Sequence, residues 1–418
     1  MKVRSLFLLM CAIAALASCS KNNDGIPGVG SDAPEAKVIL KLAGNSDQAT
    51  SKATGLPSND DLATSNGTIN NLMVFIFNST GTVITKQFFA TPNAGANEIS
   101  TTTDAHDVAV IANAAENMFT TVSSRDALKG VLANILTDGT PAGAVTQKDN
   151  NLYMSGVGTL SPFAEETSGS GTMKATVTVP LNYLSARIQL KQITFNGKTV
   201  TDNKYVPLAT FGTDDAANFT ITRVYLMNVQ RATHFLPATD AGTDYIAQGD
   251  KQYTGGVAWA APWTGSTPNQ FQNNNEYTIE AGLGVFQATM NTISNIGHWY
   301  TFANTGVGDI ANHPTALVVE VQWREVKKDD TAAPPVVEKI QTLYFTTYFG
   351  GGDKQELQAG HVYDVSLALN GNFKPTNDGG SGGGGTTDPT KPTVNSSVEV
   401  TVTPATWTLE PEISKEWK

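Results

Sequence analysis

Alternation of apolar and polar residues, the mark of strands with one buried face, runs through most of the chain. Lys37–Leu42 places Val38, Leu40 and Leu42 on one side. Ile69–Phe77 and Thr82–Phe89 flank Asn78-Ser79-Thr80-Gly81, the composition of a hairpin turn. Asp107–Ala112, Met173–Val179, Ala186–Phe195, Phe219–Val229, Tyr277–Glu280, Thr315–Trp323 and Glu338–Phe349 continue the β pattern. In His361–Leu369 the apolar set is Tyr363, Val365, Leu367 and Leu369. One helix is predicted, over Ser124–Leu136. Leu128, Val131, Leu132 and Ile135 recur there at helical spacing, with Ser124 at the N-cap and Gly139 beyond the end.

Two breaks divide this pattern. Pro180 has no N–H for a ladder and is expected to stop the Met173–Val179 strand, which puts a domain boundary near Leu181. From Asn370 to Asn395 the chain turns Gly-rich, with Gly379-Gly380-Ser381-Gly382-Gly383 at its centre, the composition of a flexible linker. Beyond the linker, Val398, Val400 and Val402 alternate in one last strand. A lone strand can neither bury its apolar face nor pair its backbone. The expectation is that this strand stands outside both domains and adds to a sheet, and that the linker lets that sheet belong to another molecule.

The chain has 418 residues, room for two large β units. Lys and Arg number 27 against 38 Asp and Glu, and the net charge of −11 argues against nucleic acid or an anionic lipid surface as the main partner. Hydrophobic residues make up 40%, enough for a core, while charged residues are only 16%, below the usual quarter. With abundant Thr, Asn, Gly and Val, that balance suits β-rich extracellular proteins.

The first residues read as an export signal. Met1–Arg4 is basic, and Ser5–Ala15 is apolar but too short to span a bilayer. Leu16-Ala17-Ser18-Cys19 looks like a bacterial lipobox, in which the chain is cut before the Cys and its thiol takes a lipid. The other cysteine, Cys11, lies inside the signal, so the mature chain has one thiol and no internal disulfide can form. Ser20–Gly25 reads as a polar tether. No later segment is long and apolar enough to cross a membrane, which leaves lipid as the expected anchor.

Catalytic chemistry is not written in the chain. His106, His234, His298, His313 and His361 form no H-E-x-x-H pair, and Asp104-Ala105-His106-Asp107 is the composition of a solvated strand start rather than a metal site. Gly350–Lys354 lacks the spacing of a phosphate loop and is read as a hairpin turn between the strands on either side. Gly379–Gly383 fits G-x-S-x-G in letters, but a Gly linker supplies neither the strand nor the helix that motif needs. Trp259, Trp263 and Trp299 offer faces for a sugar, though Trp in such loops more often packs. No enzyme, cofactor or metal is expected.

The order of these features resembles the type V fimbrial subunits (fimbrillins) of Bacteroidales. Asn71–Phe77 looks like that family's early strand, and Val108–Ala114 resembles its V-A-x-x-A-N strand. Met154-Ser155-Gly156 looks like its M-S-G turn. Leu184-Ser185-Ala186-Arg187-Ile188 is similar to the strand that opens its second domain, where the motif's first Arg is Asn182 here or absent. Val398–Thr403 with Trp407 is similar to its tail.

The resemblance implies an all-β fold with one or two short helices, in two transthyretin-like β-sandwich domains. A removable N-terminal strand and a C-terminal donor strand complete it. On that pattern residues 1–18 are signal peptide, 19–52 tether and propeptide with the first strand, 53–180 and 181–370 the two domains, 371–395 the linker and 396–418 the donor strand. It further implies lipidation at Cys19 and cleavage between Lys52 and Ala53 by a trypsin-like protease. The strand carrying Val38, Leu40 and Leu42 would then be lost. The groove it leaves would take another subunit's tail, Val398, Val400 and Val402 extended by Trp407 and Leu409. Expected partners are other copies and accessory or anchor subunits, with the outer membrane reached through the precursor's lipid and no nucleic acid. The alternative is a surface lipoprotein that binds glycans without polymerising. Such a protein has no use for a tethered tail strand, and its tryptophans should line one concave face.

Overall fold

The computed structural model describes residues 33–44, 68–93, 96–136, 144–195, 205–207, 219–238, 246–247, 250–255, 271–273, 275–280, 283, 292–309, 312–327, 337–351, 355–369, 388 and 398–406. The first unit contains β1 (Glu35–Gly44), β2 (Leu72–Asn78), β3 (Val83–Phe89), β4 (Asn97–Thr102), β5 (Ala105–Ala112), β6 (Leu132–Asn134), β7 (Met154–Thr159), β8 (Ala164–Glu165) and β9 (Met173–Tyr183). Its main sheet has the order β3-β2-β5-β7-β9-β1-β4, with β8 against β9.

That sheet doubles over on itself. Leu72, Val74 and Ile76 of β2 and Val108 and Val110 of β5 share one core with Val38 and Leu40 of β1 and Val177, Val179 and Leu181 of β9. The fold is tight where β7 meets β9, because β7 carries glycines there. A Cβ on Gly156 would sit 1.9 Å from the Pro180 carbonyl oxygen, and one on Gly158 would sit 2.8 Å from a Val177 methyl. On the far side Thr85 of β3 and Thr101 of β4 bond hydroxyl to hydroxyl at 2.9 Å. The other face of β2, with Met73, Phe75 and Phe77, packs on Phe119, Leu128 and Phe235 in a core continuous with the second unit. Phe75, Phe119, Phe235 and Tyr153 form an aromatic chain with centroids 5.2–5.6 Å apart.

The second unit contains β10 (Ser185–Phe195), β11 (Tyr205–Pro207), β12 (Phe219–Met227), β13 (Val229–Gln230), β14 (Ala232–His234), β15 (Tyr253–Gly255) and β16 (Phe271–Asn273). It continues with β17 (Thr278–Ile279), β18 (Thr292–Phe302), β19 (Thr315–Lys327), β20 (Val337–Phe349), β21 (His361–Leu369) and β22 (Val398–Thr406). One sheet has the order β18-β10-β21-β22; the other is β11-β19-β12-β17, with β20 on β19. Ile188 and Leu190 of β10 and Tyr363, Val365 and Leu367 of β21 pack across the core with Val224, Leu226, Leu317, Val319 and Phe345. β14 pairs with β6 and so ties the second unit to the first.

Several elements differ from the sequence reading. The helix α1 covers only Arg125–Lys129, capped by Ser124 Oγ, which accepts from the Ala127 N–H at 3.1 Å. Gly130 ends it, and the chain passes into β6, with Ala133 and Ile135 buried and Leu132 exposed. Glycine costs a helix about 1 kcal/mol, and pairing with β14 rewards the extended form. β9 does not stop at Pro180 but runs on to Tyr183. Pro180 is paired with Ala43, one residue before the β1 ladder ends at Leu181↔Gly44 and β9 takes up β7 at Asn182↔Ser155, so it falls at the end of one ladder rather than in its middle. The bend between the units falls at Leu184. Met154-Ser155-Gly156 opens strand β7 rather than forming a turn. The Gly350 turn is no hairpin, because β20 and β21 lie in different sheets. Gly350 has φ +103°, and a Cβ there would meet the Val307 carbonyl oxygen at 2.9 Å.

Candidate functional site: the first strand and the tail strand

β1 is an interior strand. It runs parallel to β9, from Ala36↔Met173 to Gly44↔Leu181, and antiparallel to β4, from Glu35↔Thr102 to Leu40↔Asn97. Period two turns Ala36, Val38 and Leu40 inward, all buried, while Leu42 is half-buried against the same core. On the outward side Lys37 Nζ lies 2.8 Å from Glu98 Oε1 of β4. The hydrogen bond and the charge of Glu98 raise the ammonium pKa, but both groups are well exposed, so the pair adds little to stability. Removing β1 would leave two facing strand edges over an apolar trough lined by Ile99, Val177 and Val179. Cys19, Lys52 and Ala53 lie outside the described residues.

β22 lies antiparallel on β21, with Leu369↔Val398, Leu367↔Val400, Val365↔Val402 and Tyr363↔Pro404. On the β21 side of that register Tyr363, Val365 and Leu367 are core. The tail strand therefore does not stand outside both domains; it forms the edge of its own subunit's four-stranded sheet. Pairing also continues through Pro404 to Thr406, which an edge strand tolerates. Trp407 and Leu409 lie outside the described residues. Beneath the tail, the Tyr363 hydroxyl accepts from the Gln358 N–H at 2.8 Å and donates to the Glu356 carbonyl at 2.7 Å. Burial pushes its pKa up to about 12.

Sequence reasoning noted Asn113 only as part of a motif. It has φ +66° and is buried. Its Oδ1 accepts from the Asn70 N–H at 2.7 Å, and its Nδ2 donates to the carbonyls of Thr68 and Leu152, each at 2.8 Å. Asn113 thus pins the chain just before β2, downstream of the predicted cut. Where the two units meet, Asp149 accepts from the Tyr300 hydroxyl at 2.6 Å and lies 3.4 Å from His298 Nε2. Burial, then the charge of Arg187, lowers the His298 pKa, and Asp149 only partly opposes them.

The remaining candidates do not converge. Trp299 is buried in the second unit's core, and Trp259 and Trp263 lie outside the described residues. His106 stands largely exposed, 3.2 Å from Asp107. Among the described residues no group of three His, Cys, Asp or Glu side chains could hold a metal, and no helix is long and apolar enough to cross a membrane.

One terminal strand thus lies inside a sheet and the other at a sheet edge. Family models say what kind of protein this is. Residues 36–191 match the major fimbrial subunit protein (FimA) model, and residues 223–407 match the C-terminal domain of the FimA-like major fimbrial subunit protein. The chain belongs to the FimA-like fimbrial subunit family and is a structural protein of surface fimbriae, not an enzyme. No curated protein matches it. Its fold is similar to a candidate cell adhesion protein from Bacteroides eggerthii, at 24% identity and a TM-score of 0.61 over 91% of this chain and 98% of that one. It is also similar to a fimbrilin from Porphyromonas gingivalis, at 14% identity and a TM-score of 0.53 over 90% and 98%.

Proposed function

We propose that this subunit polymerises by protease-triggered strand exchange and so builds a fimbria that supports adhesion. The precursor reaches the outer membrane as a lipoprotein acylated at Cys19. A trypsin-like protease cuts between Lys52 and Ala53, and β1 departs with the lipid. The vacated trough between β4 and β9 then takes the tail of another copy, or of an accessory or anchor subunit. Val398, Val400 and Val402 replace Val38, Leu40 and Leu42, while Trp407 and Leu409 extend the hold.

The observation that carries this reading is the interior place of β1. An interior strand cannot leave while it is covalently joined to the sheet on its far side, so the uncut chain is its own inhibitor. After the cut, β1 is held only by contacts that a strand of the same period can match. Three to five buried apolar side chains contribute on the order of 5–10 kcal/mol, and ladder bonds about 0.5–1.5 kcal/mol each, net. This is strand addition to an opened edge. The nine residues of β22 nearly equal the ten of β1.

The test is the N-terminus and intact mass of protein sheared from the cell surface. Cleavage after Lys52 leaves Ala53–Lys418, which is 418 − 52 = 366 residues. Surface material that begins at Cys19 would refute the processing step. Separately, Cys19→Ala should abolish labelling by a fatty-acid probe; unchanged labelling would sink the lipoprotein step.

A further inference from the structure

The far wall of the trough depends heavily on the strand it would have to outlast. β4 is the last strand of its sheet, and each of its six residues, Asn97 to Thr102, is paired with β1. Among the described residues β1 is its sole ladder partner. Past the end of β4, the Thr103 N–H bonds to the carbonyl of Pro34, just ahead of β1, at 2.9 Å. Taking β1 out therefore strips β4 of its ladder along its whole length. It leaves two strand spacings, roughly 9–10 Å, between β4 and β9. β4 carries one apolar side chain, Ile99, buried opposite Val38 of β1.

Polar ties join β4 to the strands that stay. At one end Asn97, buried, closes a ring with Asn93. Its Oδ1 accepts from the Asn93 N–H and its Nδ2 donates to the Asn93 carbonyl, each at 2.9 Å. At the other end the doubled-over sheet brings β4 against β3, the opposite edge, with no ladder between them among the described residues. The contact there is the buried pair Thr85 and Thr101. The Thr85 hydroxyl donates to that of Thr101 at 2.9 Å and lies 3.5 Å from the Ser100 carbonyl oxygen. Thr85 stands opposite Ile76 of β2, and β2 is itself paired on both sides. The bond thus fixes β4 to strands with which β1 makes no ladder. Buried hydroxyls cost free energy unless each finds a partner, and apolar groups of that shape would fill the place without that demand. A matched pair instead specifies one position of β4 over β3.

We infer that Thr85 and Thr101 are positioning residues for strand binding: they keep β4 standing while the site beside β9 is empty, so that a strand enters a gap already formed. This rests on the strand-exchange reading, because the uncut chain keeps the site filled. A standing wall acts on entry. Without it β4 has to be set back first, and entry slows in proportion to the fraction of chains in which it is in place. Exit starts from the filled site, where the pairs with β1 hold β4 with or without the Thr85 hydroxyl, and changes little.

Readmission of β1 by the full chain tests this. A specific protease site is placed between Gly44 and Leu72, and the chain is cut with β1 still seated. It is then mixed with isotopically heavy peptide Glu35–Gly44 and followed by native mass spectrometry. The swap rate at saturating peptide gives release, the half-filling concentration gives affinity, and the two together give entry. Thr85→Val should slow entry several-fold and leave release near the parent value. Thr85→Ser, which keeps the hydroxyl, should restore entry. Parent-like entry in Thr85→Val overturns the inference. So does a change confined to release, or a loss of entry that Thr85→Ser does not restore, since packing rather than the bond would then be responsible. If amide exchange along Thr315–Lys327 shows that Thr85→Val has not folded, Thr101→Val removes the other hydroxyl and is read in the same way. A cut chain that never yields β1 refutes strand exchange and this inference together. Release and readmission that ignore Thr85 refute this inference and leave strand exchange standing.

Discussion

At the scale of single residues, three positions carry more than their side chains suggest. Gly156 exists so that β7 can lie against β9: a Cβ would be 1.9 Å from the Pro180 oxygen. Gly156→Ala must push two strands apart and should cost about 1–3 kcal/mol, seen as a lower urea midpoint with unchanged slope. Asn113→Ala loses three side-chain hydrogen bonds and forces a left-handed residue to be alanine. Its first effect should be faster amide exchange at Thr68–Asn71, measured by mass spectrometry. His298 sets an acid limit. Its folded-state pKa lies below the ordinary 6.5, so the unfolded chain binds the proton more readily. The stability it permits is complete above about pH 6.5 and is lost as pH falls through the lower, folded value. His298→Asn should therefore lose less stability than the parent between pH 7.5 and 5.5, compared by urea midpoints at both. Motif text marked Gly156 and Asn113 in the sequence, but their reasons are tertiary. The one faces a backbone oxygen 24 residues on (180 − 156), and the other bonds to two segments, one before β2 and one before β7.

At the scale of elements, period two was readable wherever one face of a strand is core. β1, the β2–β3 hairpin, β5, β10, β19, β20 and β21 follow from alternation or from unbroken apolar runs. β18 did not, because its ladder with β10 is bulged between Leu190 and Gln192 and Asn295 has φ +55°, which breaks the alternation. Residues 131–135 fit helix and strand spacing equally well over so short a run. Only the partner β14 decides between them, and no local pattern reports a partner 100 residues away (233 − 133). The place of β1 inside the sheet was likewise invisible, although its apolar face was plain. That place makes a sharp prediction. Leu40→Ala should destabilise the uncut chain by about 2–5 kcal/mol, since the site is fully buried. It should have no effect on a chain from which β1 has been cut and removed. Equal loss in both forms, by chemical denaturation, would mean that β1 never leaves.

At the scale of the whole molecule, the two terminal strands occupy unequal places in separate sheets. Lys37–Leu42 and Val398–Val402 are both period-two apolar strands, yet one is locked between two neighbours and the other lies on a single one. A strand paired on one side has half the ladder of a strand paired on both. The tail is thus held less firmly on β21 than a strand would be held between β4 and β9. On the proposed strand exchange, that inequality would give the exchange a direction: once β1 is gone, a tail would gain a second row of hydrogen bonds by moving to a neighbour's trough. Val400→Asp tests it, because the register places Val400 opposite buried Leu367 at home and the proposal places it in an apolar trough when donated. An ionised, unpaired carboxylate in either place costs several kcal/mol. The variant should therefore release β22 from β21, seen as faster amide exchange along His361–Leu369, and should also fail to polymerise after trypsin cuts the loop behind β1. A chain ending at Asn395 should behave alike, monomeric after cleavage and still folded, since it loses only the outermost strand of one sheet. Filaments of normal length from either protein would refute the donor role. Failure of the Asn395 chain to fold at all would show instead that the strand's place is at home.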